Sequence, residues 1–246
     1  MKKYLLIIFI CASWAFVFSE ISEGVVTYTT KINMHKRIPP GQDQVKQLIP
    51  EFSTNKTQLI FSGDESLSKP VPEDVNPFDQ GPGGGTRMIR MVLGSETYMN
   101  RDADMVTQLR EFMGKNYIIK KDIQRIPWKL ANETKEILGY SCKKAFYVDD
   151  NQREISAWYT EAIRLPIGPE NYHGLPGLIL QVEVNKDEIV ITADKIDIRS
   201  LKKNELKEPK GGQEISEEGY RAMVEEQMKK MGAQSGPGGM RMMIRN

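Results

Sequence analysis

The chain has 246 residues, 34 basic and 33 acidic side chains, and 39% apolar residues. That is enough sequence for one domain with a real core. The near-balanced charge excludes a nucleic-acid binder, which needs a basic surface.

The chain opens as a targeting segment. Lys2 and Lys3 are followed by an apolar run from Tyr4 to Phe18, and Val17 and Ser19 sit at the −3 and −1 positions of a cleavage site before Glu20. The run is too short for a membrane anchor, which takes about 20 apolar residues. A cleaved signal peptide, residues 1–19, is therefore expected, with a mature protein that does not span the membrane. Cleavage removes two lysines and Cys11, leaving a charge of 32 − 33 = −1 and Cys142 as the lone thiol, so no intramolecular disulfide can form.

In the mature chain, Val26, Tyr28, Ile32 and Met34 alternate with polar residues and predict a half-buried strand that stops at Pro39-Pro40-Gly41. Gln42 to Phe52 has partial helical spacing. Leu59 and Phe61 open a second strand that continues toward Leu67. Lys69 to Gly85, rich in proline and glycine, reads as a loop. Strands follow at Arg87–Asn100, Asp104–Met113 and Tyr117–Lys120. A long strand pair, Thr134–Val148 and Arg153–Tyr159, turns at Asp149-Asp150-Asn151-Gln152. Leu178–Val184 and Ile189–Ile198 turn at Asn185-Lys186-Asp187-Glu188. Ser216 is the expected N-cap of a helix over about 216–231, with Ile215 and Tyr220 as its hydrophobic staple and Gly232 as its end. Tyr220, Met223, Val224, Met228 and Met231 form its apolar stripe. The fold class this predicts is mostly β (α+β): a strongly curved antiparallel sheet or half-open barrel with a C-terminal helix. The domain spans residues 20–232, and a flexible Gly/Met/Arg-rich tail spans 233–246.

The densest stretch is Trp158 to Leu180, WYTEAIRLPIGPENYHGLPGLIL. Pro176 presets φ in the Leu175-Pro176-Gly177-Leu178 turn, and Gly177 is expected to hold the positive φ of a type II turn. GLPGLIL, with WYT and IGP before it and Ile137-Leu138-Gly139-Tyr140-Ser141-Cys142-Lys143-Lys144-Ala145 upstream, resembles the GLPGLI family of secreted bacterial proteins. The resemblance implies an envelope protein, periplasmic or outer-membrane-associated, found beside outer-membrane barrels and transporters. The binding residues it singles out are Trp158, Tyr159, Thr160, Gly168, Pro169, Tyr172, His173, Gly174, Leu175, Pro176, Gly177 and Leu178.

Signs of catalysis are sparse. His35 and His173 lie in unrelated segments without the ligand clustering of a zinc site, no G-x-S-x-G elbow is present, and the glycine loop at Gly81 lacks P-loop chemistry. The sequence therefore predicts a non-enzymatic envelope binding or accessory protein with no cofactor or metal. Its partner would be an outer-membrane or other envelope protein, or an apolar ligand on the concave face. Two alternatives are kept. One is an enzyme with Cys142 as nucleophile, which needs an accessible thiol. The other is a soft-metal site at Met240, Met242 and Met243, in a tail where Gly236–Asn246 echoes Gly81–Met91.

Overall fold

A computed structural model describes residues 23–38, 41, 43–71 and 95–234. The expected signal segment, Pro39-Pro40, most of the Pro/Gly-rich loop, the start of the strand expected from Arg87, and the Met-rich tail lie outside the described residues. Twelve strands form one sheet: β1 (Glu23–Asn33), β2 (Phe52–Ser62), β3 (Glu65–Pro70), β4 (Glu96–Asn100), β5 (Met105–Phe112), β6 (Lys115–Asp122), β7 (Lys129–Ile137), β8 (Tyr140–Val148), β9 (Glu154–Thr160), β10 (Leu178–Val184), β11 (Ile189–Ile198) and β12 (Gln213–Glu214). A 3₁₀ turn (His35–Arg37) and a short helix, α1 (Asp43–Lys46), follow β1, and α2 (Glu217–Gln234) closes the described chain. The spatial order is β12-β6-β5-β4-β3-β2-β1-β11-β10-β9-β8-β7. Neighbours are antiparallel except β12, which lies parallel to β6.

The connection from β6 to β7 fixes the shape. In a flat sheet these strands, ten steps apart in the order, would be about 48 Å apart. The residues between Asp122 and Lys129 span at most about 25 Å when extended. The sheet must therefore curl until its two ends approach. It stays open: among the described residues, β7 pairs only with β8. The expected curved, mostly antiparallel sheet with a C-terminal helix is the architecture found.

Directly opposed residues share a face, so the register separates inside from outside. The inner face carries the row Val26, Leu59, Ser68, Thr97, Gln108 and Ile119. The outer face carries Val25, Ile60, Leu67, Tyr98, Thr107 and Lys120. Between β11 and β12 a strap over residues 199–212 crosses the outer face. Leu201 N–H donates to the Glu23 carboxylate, Thr107 Oγ1 donates to Glu208 at 2.8 Å, and Arg199 grips Glu205.

The helix starts as its residues dictate. Gly219 N–H donates to Ser216 Oγ at 3.0 Å, a side-chain cap. Tyr220 packs edge-on against Phe112 and Tyr117, with Ile119 beneath and Ile215, Met223 and Val224 around them. The stripe docks through Tyr220, Met223 and Val224; Met228 is half-buried but lies outside that cluster, and the helix continues through Gly232 to Gln234.

Three other expectations need correction. The run from Leu59 toward Leu67 is a hairpin, because Gly63 takes φ +57 between β2 and β3. Thr134–Val148 is also two strands: Leu138 (φ 53) and Gly139 (φ 78) make a two-residue turn of the mirror-image kind that suits strand twist. Among the described residues of the stretch expected to be partly helical, Gln42–Phe52, only the single turn α1 is helical, and Leu48 is exposed.

Candidate functional site

The loop between β9 and β10, residues 161–177, lies inside the cup. Ile163, Leu165, Ile167 and Leu175 are buried in the same core as Tyr28, Leu59, Phe61 and Val182. They cover the inner face that an apolar ligand would need. The loop is stitched by its own backbone. Leu178 N–H donates to Ile163 O, Ile179 N–H to Ile167 O, and Gly174 N–H to Pro166 O, each at 3.0 Å. Ile167 bridges His173, and Gly177 N–H closes a three-residue turn on Leu175 O at 2.8 Å. Tyr28 reaches across the core to donate its hydroxyl to Ile179 O at 2.7 Å.

The glycine of the motif has a different duty from the one expected. Gly177 does not have a positive φ; that conformation belongs to Gly174, at +85. A Cβ on Gly177 would lie 2.0 Å from the Thr160 carbonyl oxygen, and one on Gly168 would lie 2.7 Å from Ile179 Cβ. Both are glycine because another chain segment passes too close for a side chain.

The tip of the loop is Gly168-Pro169-Glu170-Asn171-Tyr172-His173. Tyr172 N–H donates to Pro169 O at 3.1 Å, and Glu170 takes φ +55 within that turn. The tip reaches far. Glu170 N–H donates to Ser68 Oγ on β3 at 3.3 Å, and Gln108 Nε2 on β5 donates to Asn171 Oδ1 at 3.0 Å. On the other side, Trp128 Nε1–H donates to His173 O at 2.8 Å. His173 Nδ1–H donates to Asn171 O at 2.7 Å, while its Nε2 is buried with no hydrogen-bond partner among the described residues. Trp128 meets Tyr147 edge-on at 4.8 Å between centroids and Tyr172 at 6.5 Å, so three half-buried rings sit beside the tip. Burial and the nearby Glu170 carboxylate push the Tyr172 hydroxyl pKa far up. Beyond the tip, Glu161, Arg164, Pro166 and Pro176 line a depression of about 400 Å³.

The predicted site residues therefore divide. Tyr172, His173, Gly174 and Pro176 are at the surface or half-buried, while Gly168, Pro169, Leu175, Gly177 and Leu178 are inside. Trp158, Tyr159 and Thr160 are buried on β9. Trp158 lies away from the tip rings, under Lys135 (4.0 Å from the ring centroid) and Lys144 (5.7 Å). Sequence reasoning missed Trp128, Tyr147 and Glu170. The signal at hand was Pro127-Trp128 at the start of a strand, which carried no hint of a contact 45 residues away. Cys142 has no exposed surface, its thiol donates to Tyr140 O at 3.4 Å, and burial pushes its pKa up. That removes the nucleophile alternative. Among the described residues no group of three His, Cys, Asp or Glu side chains could hold a metal, and none of their helices is long and apolar enough to cross a membrane.

An open, curled sheet whose concave side is filled by one long, internally bonded loop defines a β-sheet domain with its distinctive surface at the loop tip. The chain belongs to the family described as N-glycanase peptide, N-terminal domain, whose sequence profile matches residues 90–222, more than half of the chain. Two solved structures of PNGF-II, in space groups P21 and C2, share the fold. The first is 21% identical with a TM-score of 0.54, covering 82% of this chain and 33% of the PNGF-II chain. The second is 19% identical with a TM-score of 0.55, covering 82% and 32%. The chain thus spans about a third of the length of those structures. No curated protein matches it. Family membership corrects the expectation of a non-enzymatic protein, because the family is named for an N-glycanase.

Proposed function

We propose that this chain is an exported domain that serves N-glycan processing, and that it meets glycoprotein through the loop tip and the rings beside it. The observation that carries the reading is the Trp128, Tyr147 and Tyr172 cluster, half-buried and fixed to the loop by the Trp128–His173 bond. Rings of this kind combine a large apolar body with a polar end and are held without losing further side-chain freedom. The apolar faces of sugar rings stack on such surfaces. The family's name supplies the substrate class. The signal-like start and the GLPGLI resemblance support a periplasmic or outer-membrane-associated site of action.

A second reading keeps an envelope protein as the partner. It is favoured by the depression between Pro166 and Pro176, where Arg164 carries no ion pair among the described residues.

One experiment separates the two. The chain lacking residues 1–19 is titrated with a glycoprotein and with the same protein lacking its glycan. The same titrations are run with the Tyr172→Ala/His173→Ala double variant. Alanine keeps the His173 carbonyl that Trp128 needs, so the fold should hold. Binding of the glycosylated form alone, lost in the double variant, is the expected result. Equal binding of both forms, or of neither, overturns the glycan reading.

A further inference from the structure

Four arginines are half-buried among the described residues: Arg101, Arg110, Arg153 and Arg199. Partial burial strips a cation of hydration, and a carboxylate is the usual compensation. Three of the four have one: Asp64 for Arg101, Asp149 for Arg153 and Glu205 for Arg199. Arg110 has none among the described residues. Its Nη2–H donates to Gln108 Oε1 at 2.8 Å, and its guanidinium carbon lies 5.4 Å from the centroid of the Tyr220 ring. A planar cation set against a ring and tied by one neutral hydrogen bond keeps most of its five donors for another partner.

The place is as particular as the charge. Arg110 stands opposite Tyr117, and Tyr117 packs on Tyr220, so all three share the inner face of the cup. Gln108, 1% exposed, lies on the same face and donates to Asn171 in the loop tip at 3.0 Å. The guanidinium is thus held between the tip and α2 by partners that are themselves fixed. Those surroundings do not neutralise it. Gln108 and Thr97, opposed on that face, are uncharged. Glu217 of α2 is taken by Lys121 at 3.0 Å. Glu170 in the tip bonds to Ser68 through its backbone N–H, and its carboxylate makes no ion pair among the described residues. One cation in neutral surroundings matches a single negative charge. A fork of parallel N–H donors matches the two oxygens of a carboxylate.

We infer that Arg110 anchors a carboxylate-binding subsite on the inner face of the cup, between the loop tip and α2. Tyr220 holds the cation in place, and Gln108 sets its plane. The subsite does not depend on the glycan reading.

The test follows the Arg110 Nε–H signal by NMR in the chain lacking residues 1–19. The probes are acetyl-Gly-Glu-Gly-amide, its glutamine counterpart, acetate and inorganic phosphate. The glutamate peptide and acetate should both shift the signal and saturate. The glutamine peptide should bind about tenfold more weakly, through loss of a charge-assisted pair of hydrogen bonds. A peptide that binds tighter than acetate makes an acidic peptide the source of the carboxylate; equal affinities make it a small free acid. No shift with either carboxylate, an equal response to the glutamine peptide, or a response to phosphate alone overturns the subsite.

Arg110→Lys separates the fork from the charge. It keeps a cation beside Tyr220, so α2 should stay docked, and it should bind the glutamate peptide several-fold more weakly because an ammonium has no planar fork. Affinity equal to wild type would overturn the assignment to the guanidinium. If the lysine variant fails to fold, the wild-type signal, which reports the contact directly, decides the matter.

Discussion

Gly177 and Gly174 sit three residues apart and are glycine for different reasons. Gly174 holds φ +85 with open space where a Cβ would go. Alanine there is strained in its backbone alone, a cost of about 1 kcal/mol. Gly177 has ordinary backbone but would drive a Cβ to 2.0 Å from the Thr160 carbonyl oxygen. That carbonyl belongs to β9, whose residues Ile155 to Thr160 are all buried, so neither side can yield cheaply. Gly177→Ala should therefore cost about 2–3 kcal/mol, in the range of overpacked cores, and Gly174→Ala distinctly less. Urea midpoints of the two variants check this; a Gly177→Ala protein as stable as Gly174→Ala would show that the loop can lift away from β9. The LPG motif could be read as a turn from sequence, because proline and glycine preset local geometry. The approach to Thr160 could not, because it comes from tertiary packing.

Among the elements, α2 shows how a readable pattern can still mislead about where energy lies. Its cap was legible: Ser216 sits one residue before Glu217 and its hydroxyl accepts from Gly219 N–H. Its stripe was legible too, but among its described side chains only Tyr220 reaches full burial, 8% exposed against Phe112 and Tyr117, and the half-buried Met228 lies outside the cluster that Met223 and Val224 join. The sheet edge is the reason. Beyond β6 there is only the two-residue strand β12, so the later turns have little to pack on. Tyr220→Ala should cost about 3 kcal/mol, as for a large core aromatic. Met228→Asp should cost under about 1 kcal/mol, because its charge can reach water. Chemical denaturation of both variants would expose the error if their midpoints coincided. Most strands were legible for the same reason as the stripe: alternation follows burial of one face. Leu138-Gly139 escaped because leucine is not a turn residue, and its positive φ is imposed by the pairing of Ile137 with Tyr140 on either side.

At the scale of the molecule, the cup is closed by contacts that no local pattern announces. Strands β6 and β7 stand at opposite ends of the sheet and are joined by a few residues that end at Trp128. The loop tip spans the interior between them, tied to β3 through Ser68, to β5 through Gln108 and to the linker through Trp128. The two ends of the sheet are thus held across the loop rather than by strand pairing. Removing one tie should loosen the loop without unfolding the sheet, whose strands keep their ladders. Trp128→Phe keeps an aromatic ring against Tyr147 but deletes the N–H that donates to His173 O. One neutral hydrogen bond contributes about 1 kcal/mol, and the orphaned carbonyl can turn to water at the partly exposed tip. The global midpoint should therefore shift only slightly. Amide exchange at Gly174 and Ile179, whose N–H groups bond within the loop, should speed up several-fold, while exchange at the β1–β2 ladder stays as in wild type. Unchanged exchange in the loop would mean that Ser68 and Gln108 hold the tip on their own. Faster exchange throughout the sheet would mean that the loop and the sheet open as one unit, with the Trp128 bond part of the global fold.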